Sequence, residues 1–170
     1  MRIETVRLVL RACTLDVAEA LISDRRSAEL LLGAGLPADW PDDELLGFLP
    51  VYAQHLRDDP AELGYGIWLV IQRDKRMVVG SAGFQGRPDV ASTIEAGYGI
   101  APEARNRGFA TEAVRALIRW GLAQPGVDRI SASCDRANRP SIRVLEKCGL
   151  QVAHEVDGLM DWSTPLSAGR

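Results

Sequence analysis

The 170-residue chain has the length of one domain with a substantial core, and 46 % hydrophobic and 25 % charged residues are typical of a folded globular protein. A net charge of -3 argues against general nucleic-acid binding, which calls for a basic footprint. Cys13, Cys134 and Cys148 lack framework spacing, Met1–Thr5 lacks a signal-peptide apolar core, and no apolar run approaches about 18 residues; a reduced, cytoplasmic protein with no membrane segment is expected.

Val6, Leu8 and Leu10 alternate with Arg7 and Arg11, which predicts a half-buried strand over residues 5–11. Thr14 can cap a short helix over Leu15–Ile22, with Asp16 favourable in its first turn. Arg25–Leu36 reads as helix or loop, and Pro37–Pro41 as a turn. Pro41 followed by Asp42, Asp43 and Glu44 predicts a helix start, and that helix would run to Arg57 with a kink or break at Pro50. Asp58-Asp59-Pro60 ends it.

Tyr65–Gln72 and Met77–Phe84 read as a hairpin, and Thr93–Ile100 as a third strand of the same meander. A helix is expected over Phe109–Ala123, with Ala110, Ala113, Val114, Leu117 and Gly121 as its buried stripe. Arg129–Cys134 reads as a strand and Pro140–Cys148 as a short helix closed by Gly149. Leu150–Glu155 and Leu159–Thr164 are strands around an Asp157-Gly158 turn, and the tail from Pro165 is expected to fray. The order β-α-α-β-β-β-α-β-α-β-β predicts one α/β domain, residues 1–170, with a mixed, mostly antiparallel sheet and helices on both faces.

The stretch Ile94 to Ala113 runs from strand through a basic glycine turn into helix. Arg105-x-Arg107-Gly108-x-Ala110 lacks the Gly-Lys-Ser/Thr ending of a Walker A loop, and Pro102 stands where a dinucleotide fingerprint would need its third glycine. Two readings remain open: an anion site on backbone N–H groups and a helix N-terminus, or a tight turn with solvated arginines.

Glu95-Ala-Gly-Tyr98-x-Ile-x-Pro-x-x-Arg105-Asn-Arg107-Gly108-Phe-Ala110-Thr-Glu112-Ala113 resembles the acyl-CoA-binding motif of the GNAT superfamily of N-acetyltransferases. Glu4-Thr5-x-Arg7-Leu8-x-Leu10-Arg11, Gly80-x-x-Gly83 and Asn138-Arg-Pro-Ser141-x-x-Val144-Leu145-Glu146-Lys147-Cys148-Gly149-Leu150 resemble further motifs of its RimJ/RimL-like branch, so the likeness spans about residues 3–164. The resemblance implies a GNAT-like sheet that splits between the strands near residues 95 and 130, with acetyl-CoA in the opening as acyl donor. It implies that the amides of Arg105, Asn106, Arg107, Gly108, Phe109 and Ala110, with Thr111 beyond them, cradle the pyrophosphate. The backbone at Tyr98, Gly99 and Ile100 would hold the pantetheine, Asn138 would face that arm, and Ser141 would lie near the thioester sulphur.

Attack by an amine requires loss of a proton, and the departing thiolate requires stabilisation. Glu95 is the candidate base, directly or through a water, and Ser141 the candidate helper of the leaving thiol. Tyr98 alternates with Glu95 and should face the other side of the strand, as core or cofactor wall. His154 and His55 carry little weight and form no metal cluster. Trp40 and Trp68 read as core or as acceptor-side groups; Asp42, Asp43 and Glu44 read as a solvated helix start or as an attractor of cationic amines. The branch resemblance suggests a protein N-terminal amine as acceptor; a small-molecule amine or antibiotic, or an inactive acyl-CoA-binding module, are the alternatives. Acceptor choice would lie in residues 15–60 and the last hairpin, and the protein is expected as a monomer or homodimer that binds neither nucleic acid nor membrane.

Overall fold

The computed structural model describes residues 1–165, so the end of the expected frayed tail lies outside the described residues. The strand expected over residues 5–11 is two strands, β1 (Arg2–Glu4) and β2 (Leu8–Ala12). Thr5 divides them: its N–H donates to the Leu8 carbonyl at 2.9 Å and its hydroxyl accepts from the Leu8 N–H at 3.0 Å, closing a tight turn. A hydroxyl that can bond the nearby backbone competes with the sheet ladder. Val6 is left on the turn, 90 % exposed, rather than on the core face.

Helices α1 (Leu15–Ser23) and α2 (Arg25–Leu32) follow, so the segment that periodicity left open is helical up to Gly33, which ends it in the left-handed conformation. Asp24 caps α2 by accepting from the Arg26 N–H at 3.0 Å, whereas the Thr14 hydroxyl meets the Asp16 carboxylate and makes no cap bond. Helix α3 (Asp43–Asp58) starts two residues later than Pro41, with Asp42 as its cap, and passes Pro50 unbroken. Pro50 is on the exposed side and removes one helical bond, while Leu49, Tyr52, Ala53 and Leu56 are buried around it. Leu49 and Leu56 each contribute roughly 1.5–3 kcal/mol, enough together to offset a proline that costs about 3 kcal/mol.

The remaining elements are β3 (Ile67–Gln72), β4 (Met77–Phe84), β5 (Thr93–Ile100), α4 (Phe109–Leu122), β6 (Arg129–Asp135), α5 (Arg139–Lys147), β7 (Gln151–Val156) and β8 (Leu159–Ser163). Tyr65 falls outside β3. Asp157 and Gly158 both take positive φ in the β7–β8 turn, as a two-residue hairpin requires. The sheet order is β1-β2-β3-β4-β5-β6-β8-β7, antiparallel except between β5 and β6.

Two cores cover the first half of the sheet. Leu8, Leu10, Trp68, Val70 and Phe84 face α4; Val9, Leu69, Ile71 and Val78 face α1, α2 and α3. Trp68 is fully buried, its indole N–H donating to the Gly64 carbonyl at 2.8 Å, and Trp40 is buried under the first helices, so both tryptophans are core. The α4 stripe is broader than expected: Phe109, Ala116 and Ile118 are buried with Ala113, Val114, Leu117 and Gly121, while Ala110 is only half-buried.

The register shows why the sheet opens. β5 pairs with β6 only from Thr93–Arg129 to Glu95–Ser131, whereas it pairs with β4 from Ala96 to Ile100. Beyond Ser131, β6 follows β8 instead. Ala96–Ile100 therefore have a neighbouring strand on one side alone, and the gap faces the start of α4.

Candidate active site

The turn before α4 is built to present backbone donors. Asn106 (φ +59°) and Gly108 (φ +79°) are left-handed, which turns successive N–H groups toward one concavity. Among the described residues the N–H groups of Asn106, Arg107 and Gly108 have no backbone or side-chain acceptor. Gly108 caps α4 without a side-chain bond, so the first-turn N–H groups of Phe109, Ala110 and Thr111 are also open, at the positive end of the helix dipole. This arrangement suits an anion with several oxygens.

The arginines do not all point at that concavity. Arg105 Nε donates to the Ile100 carbonyl at 3.0 Å, and Arg107 lies over the Phe109 ring, 4.7 Å from its centroid. Arg7 packs on the same ring at 4.8 Å and donates to the Arg107 carbonyl at 2.9 Å. Glu112 ties the other end, accepting from the Thr5 hydroxyl at 2.6 Å, the Arg7 N–H at 2.8 Å and Arg7 Nε at 2.7 Å. Partial burial would raise its pKa, but the bonds from Thr5 and Arg7 outweigh it and hold the carboxyl below the usual glutamate range. The turn is thus fixed to the first hairpin by residues quoted in two separate sequence motifs. No periodicity could link them.

Glu95 is half-buried where β5 and β6 part. Ser133 Oγ lies 3.2 Å from its Oε1 and 3.0 Å from Asp161 Oδ1, so the hydroxyl stands between two carboxylates. Tyr98 is on the opposite face, as alternation requires, and its hydroxyl donates to the Ser141 carbonyl at 3.2 Å. Burial pushes the Tyr98 phenol up to about 12. Asn138 Oδ1 accepts from the Ser141 N–H at 3.2 Å, capping α5 and leaving its amide NH2 available. Ser141 is half-buried and its hydroxyl makes no hydrogen bond within the described residues. Glu95 and Ser141 therefore flank the opening from opposite faces, with bare backbone at Gly97 and Gly99 between them and the cradle.

A cavity of about 550 Å³ lies on the Glu95 face, between α3 and strands β3–β5. Its floor includes Gly66, Gly83, Gly97 and Gly99; Leu45, Phe48, Tyr52 and Tyr65 form its apolar wall. His55, which carries little weight in the sequence, lines it; His154 is exposed on β7 and does not. Asp42 and Glu44 also line it, but Asp43 does not. The sequence signals for this site were the stripe on one side of α3 and the glycines of β4 and β5, but only the packing of α3 on the sheet shows them as one pocket. Ser133 and Asp161 escaped notice because β6 and β8 meet only through the sheet register.

Among the described residues no cluster of three or more His, Cys, Asp or Glu side chains could hold a metal, and no helix is long and apolar enough to cross a membrane.

The profile of the acetyltransferase (GNAT) domain matches residues 7–151. Over 160 residues the chain is 29 % identical to the uncharacterized N-acetyltransferase YjdG of Bacillus subtilis, covering 94 % of this chain and 95 % of that protein. A GNAT-family acetyltransferase from Bacillus anthracis superposes with a TM-score of 0.64 at 22 % identity, covering 96 % of this chain and 97 % of that one. The ribosomal-protein-S5-alanine acetyltransferase of Vibrio fischeri superposes with a TM-score of 0.68 at 15 % identity, covering 99 % and 98 %.

Proposed function

The chain belongs to the GNAT acetyltransferase family, and on that premise we propose that it moves the acetyl group of acetyl-CoA to a primary amine by direct attack in a ternary complex. The observation that carries this reading is the opening of β5 from β6 beside six N–H groups at Asn106–Thr111 that have no partner among the described residues. Those donors suit the pyrophosphate, and Gly108, whose φ of +79° disfavours a side chain, keeps the approach clear. The one-sided edge at Tyr98, Gly99 and Ile100 suits the amide-bearing pantetheine, which can add to it as a strand would. Asn138 keeps an NH2 for the same arm.

In this reading the acceptor ammonium loses a proton to Glu95, directly or through a water. The neutral amine attacks the thioester carbon, the C–S bond breaks, and CoA leaves as a thiolate that takes up a proton to give the free thiol. Ser141, with an unspent hydroxyl on the other side of the opening, stabilises the departing sulphur. Tyr98 keeps its proton at neutral pH and acts as a wall. The acceptor of first choice is a protein N-terminal amine, supported by the RimJ/RimL-type motifs and by the fold shared with the Vibrio S5-alanine enzyme. The cavity under α3, within the size range of small-molecule sites, favours a small amine as the second reading.

Release of free CoA thiol, measured with acetyl-CoA, peptides beginning with alanine or serine, and a set of small amines, tests the proposal. Transfer to at least one class is expected. Acetyl-CoA binding without acetylation of any amine would instead mark an inactive binding module.

A further inference from the structure

The cavity under α3 carries its own account of the acceptor. We infer that this enzyme acetylates a primary amine borne on an aromatic or branched apolar body, with no carboxylate beside the amine. The inference rests on the acetyltransferase reading and adds the chemistry of the acceptor.

The apolar wall comes from one side of α3. Phe48 and Tyr52 are one turn apart, their rings stacked with centroids 6.3 Å apart, and Leu45 lies on the same side. Tyr52 spends its hydroxyl on the buried Cys13 carbonyl at 2.7 Å, so it offers the cavity only a ring. Phe48 keeps 42 % of its surface exposed at the mouth. The floor recedes because side chains are missing: Gly83 and Gly97 are direct partners in the β4–β5 register, and Ser81 faces Gly99. A Cβ at Gly97 or Gly99 would meet nothing within 4 Å, so the slot is open down to the strand that carries Glu95. An aromatic or branched group fits between that floor and the Phe48–Tyr52 wall.

The charges exclude other amines. Among the described residues no Lys or Arg lines the cavity. Of its three carboxylates, Glu62 is held by Arg87 at 2.9 Å and Asp42 Oδ1 caps α3 by accepting from the Leu45 N–H at 2.9 Å. Glu44, one turn before Phe48, makes no hydrogen bond or ion pair among the described residues. A carboxylate next to the reacting amine would meet Glu44 with no lysine or arginine among the described lining residues to balance it, and with His55 as the one basic lining side chain, which disfavours free amino acids. A long polyamine would find one unspent carboxylate and an apolar wall, which disfavours it as well.

Two sources share this chemistry, a small arylalkylamine and a peptide whose first residue is aromatic or branched. The test compares kcat/KM for 2-phenylethylamine, a phenylalanine-initiated peptide amide, a serine-initiated peptide amide, spermidine and free phenylalanine, with acetyl-CoA affinity measured by calorimetry. At least one of the first two should exceed the other three by about tenfold or more, and which of them leads identifies the source. Phe48→Ala should raise KM for the leading amine about fivefold with acetyl-CoA affinity unchanged. Glu44→Lys should raise kcat/KM for free phenylalanine. Preference for spermidine, free phenylalanine or the serine peptide overturns the inference while leaving the transferase reading in place. Acetyl-CoA binding with turnover of neither aromatic amine also overturns the inference, and the transferase reading then stands only if another amine is acetylated. Failure to bind acetyl-CoA overturns both.

Discussion

Ser133 on β6 donates its hydroxyl toward Glu95 on β5 across 3.2 Å, at the point where the two strands separate. The same oxygen is 3.0 Å from Asp161, but a hydroxyl has one proton and can serve only one ionised carboxylate at a time. Glu95 is therefore held in the opening by a partner that can release it.

Glu95→Gln keeps the shape and removes the base. It is expected to lower kcat about 100-fold or more at neutral pH, with acetyl-CoA affinity near that of the parent. Ser133→Ala should lower kcat by a smaller factor, about tenfold, because one orienting hydrogen bond is lost. Steady-state kinetics with titration of the released thiol reads both. Unchanged kcat in Glu95→Gln across the pH range removes Glu95 as base.

Gly108→Val puts a branched side chain on a residue with φ of +79° at the mouth of the cradle. A Cβ there already comes within 3.4 Å of Arg7 Nη2. Strained backbone of this kind costs about 1–3 kcal/mol, and the added bulk covers the open N–H groups. Calorimetry should show acetyl-CoA binding abolished or weakened by about 100-fold. Normal affinity would mean that the pyrophosphate lies elsewhere.

Glu112 links the cradle to the first hairpin, so its charge should matter to stability. Its folded pKa lies below the unfolded value, so its contribution is complete above the ordinary glutamate pKa of about 4.3 and is lost as pH falls through the lower folded value. Glu112→Gln is expected to cost about 1–2 kcal/mol at pH 7, discounted because Arg7 is half exposed. Urea unfolding of both proteins at pH 7 and at pH 3 should show the difference shrinking in acid. A constant difference would assign the effect to something other than this charge.

Gly66 is the hinge point between stability and acceptor binding. A Cβ there would come within 2.1 Å of Tyr52 Cε2, so Gly66→Ala must displace the ring that both lines the cavity and anchors α3 to Cys13. Overpacking of this kind costs about 1–3 kcal/mol. Thermal unfolding should register that loss, and KM for the amine should rise while acetyl-CoA affinity holds. An unaltered KM would show that α3 does not shape the acceptor site.

Local chemistry carried much of the reading. The strand from Thr93 to Ile100, the glycine turn and the stripe of α4 are contiguous, and their residues announce themselves through alternation, a turn residue and helical period. The Asp157-Gly158 hairpin needed only two residues that tolerate positive φ. The errors fell where a local signal met a competitor. Thr5 broke a strand because its hydroxyl bonds the backbone of Leu8, and of the kink or break expected at Pro50 the break is absent because its neighbours are buried.

By itself, then, the amino-acid order determined the glycine turn, the strand beside it and the placement of Glu95 and Tyr98 on opposite faces, while the donor role proposed for that turn came from the family resemblance. Those features depend on residues within a few positions of one another, where backbone geometry sets direction. Tertiary structure alone decided the rest. Glu112 meets Thr5 across 107 positions and Ser133 meets Glu95 across 38. The cavity proposed for the acceptor exists because α3 packs over glycines of β4 and β5 and Gly66, the residue before β3. Such contacts are set by sheet register and by the packing of elements far apart in the chain, and a period read along one element does not name its partner in another.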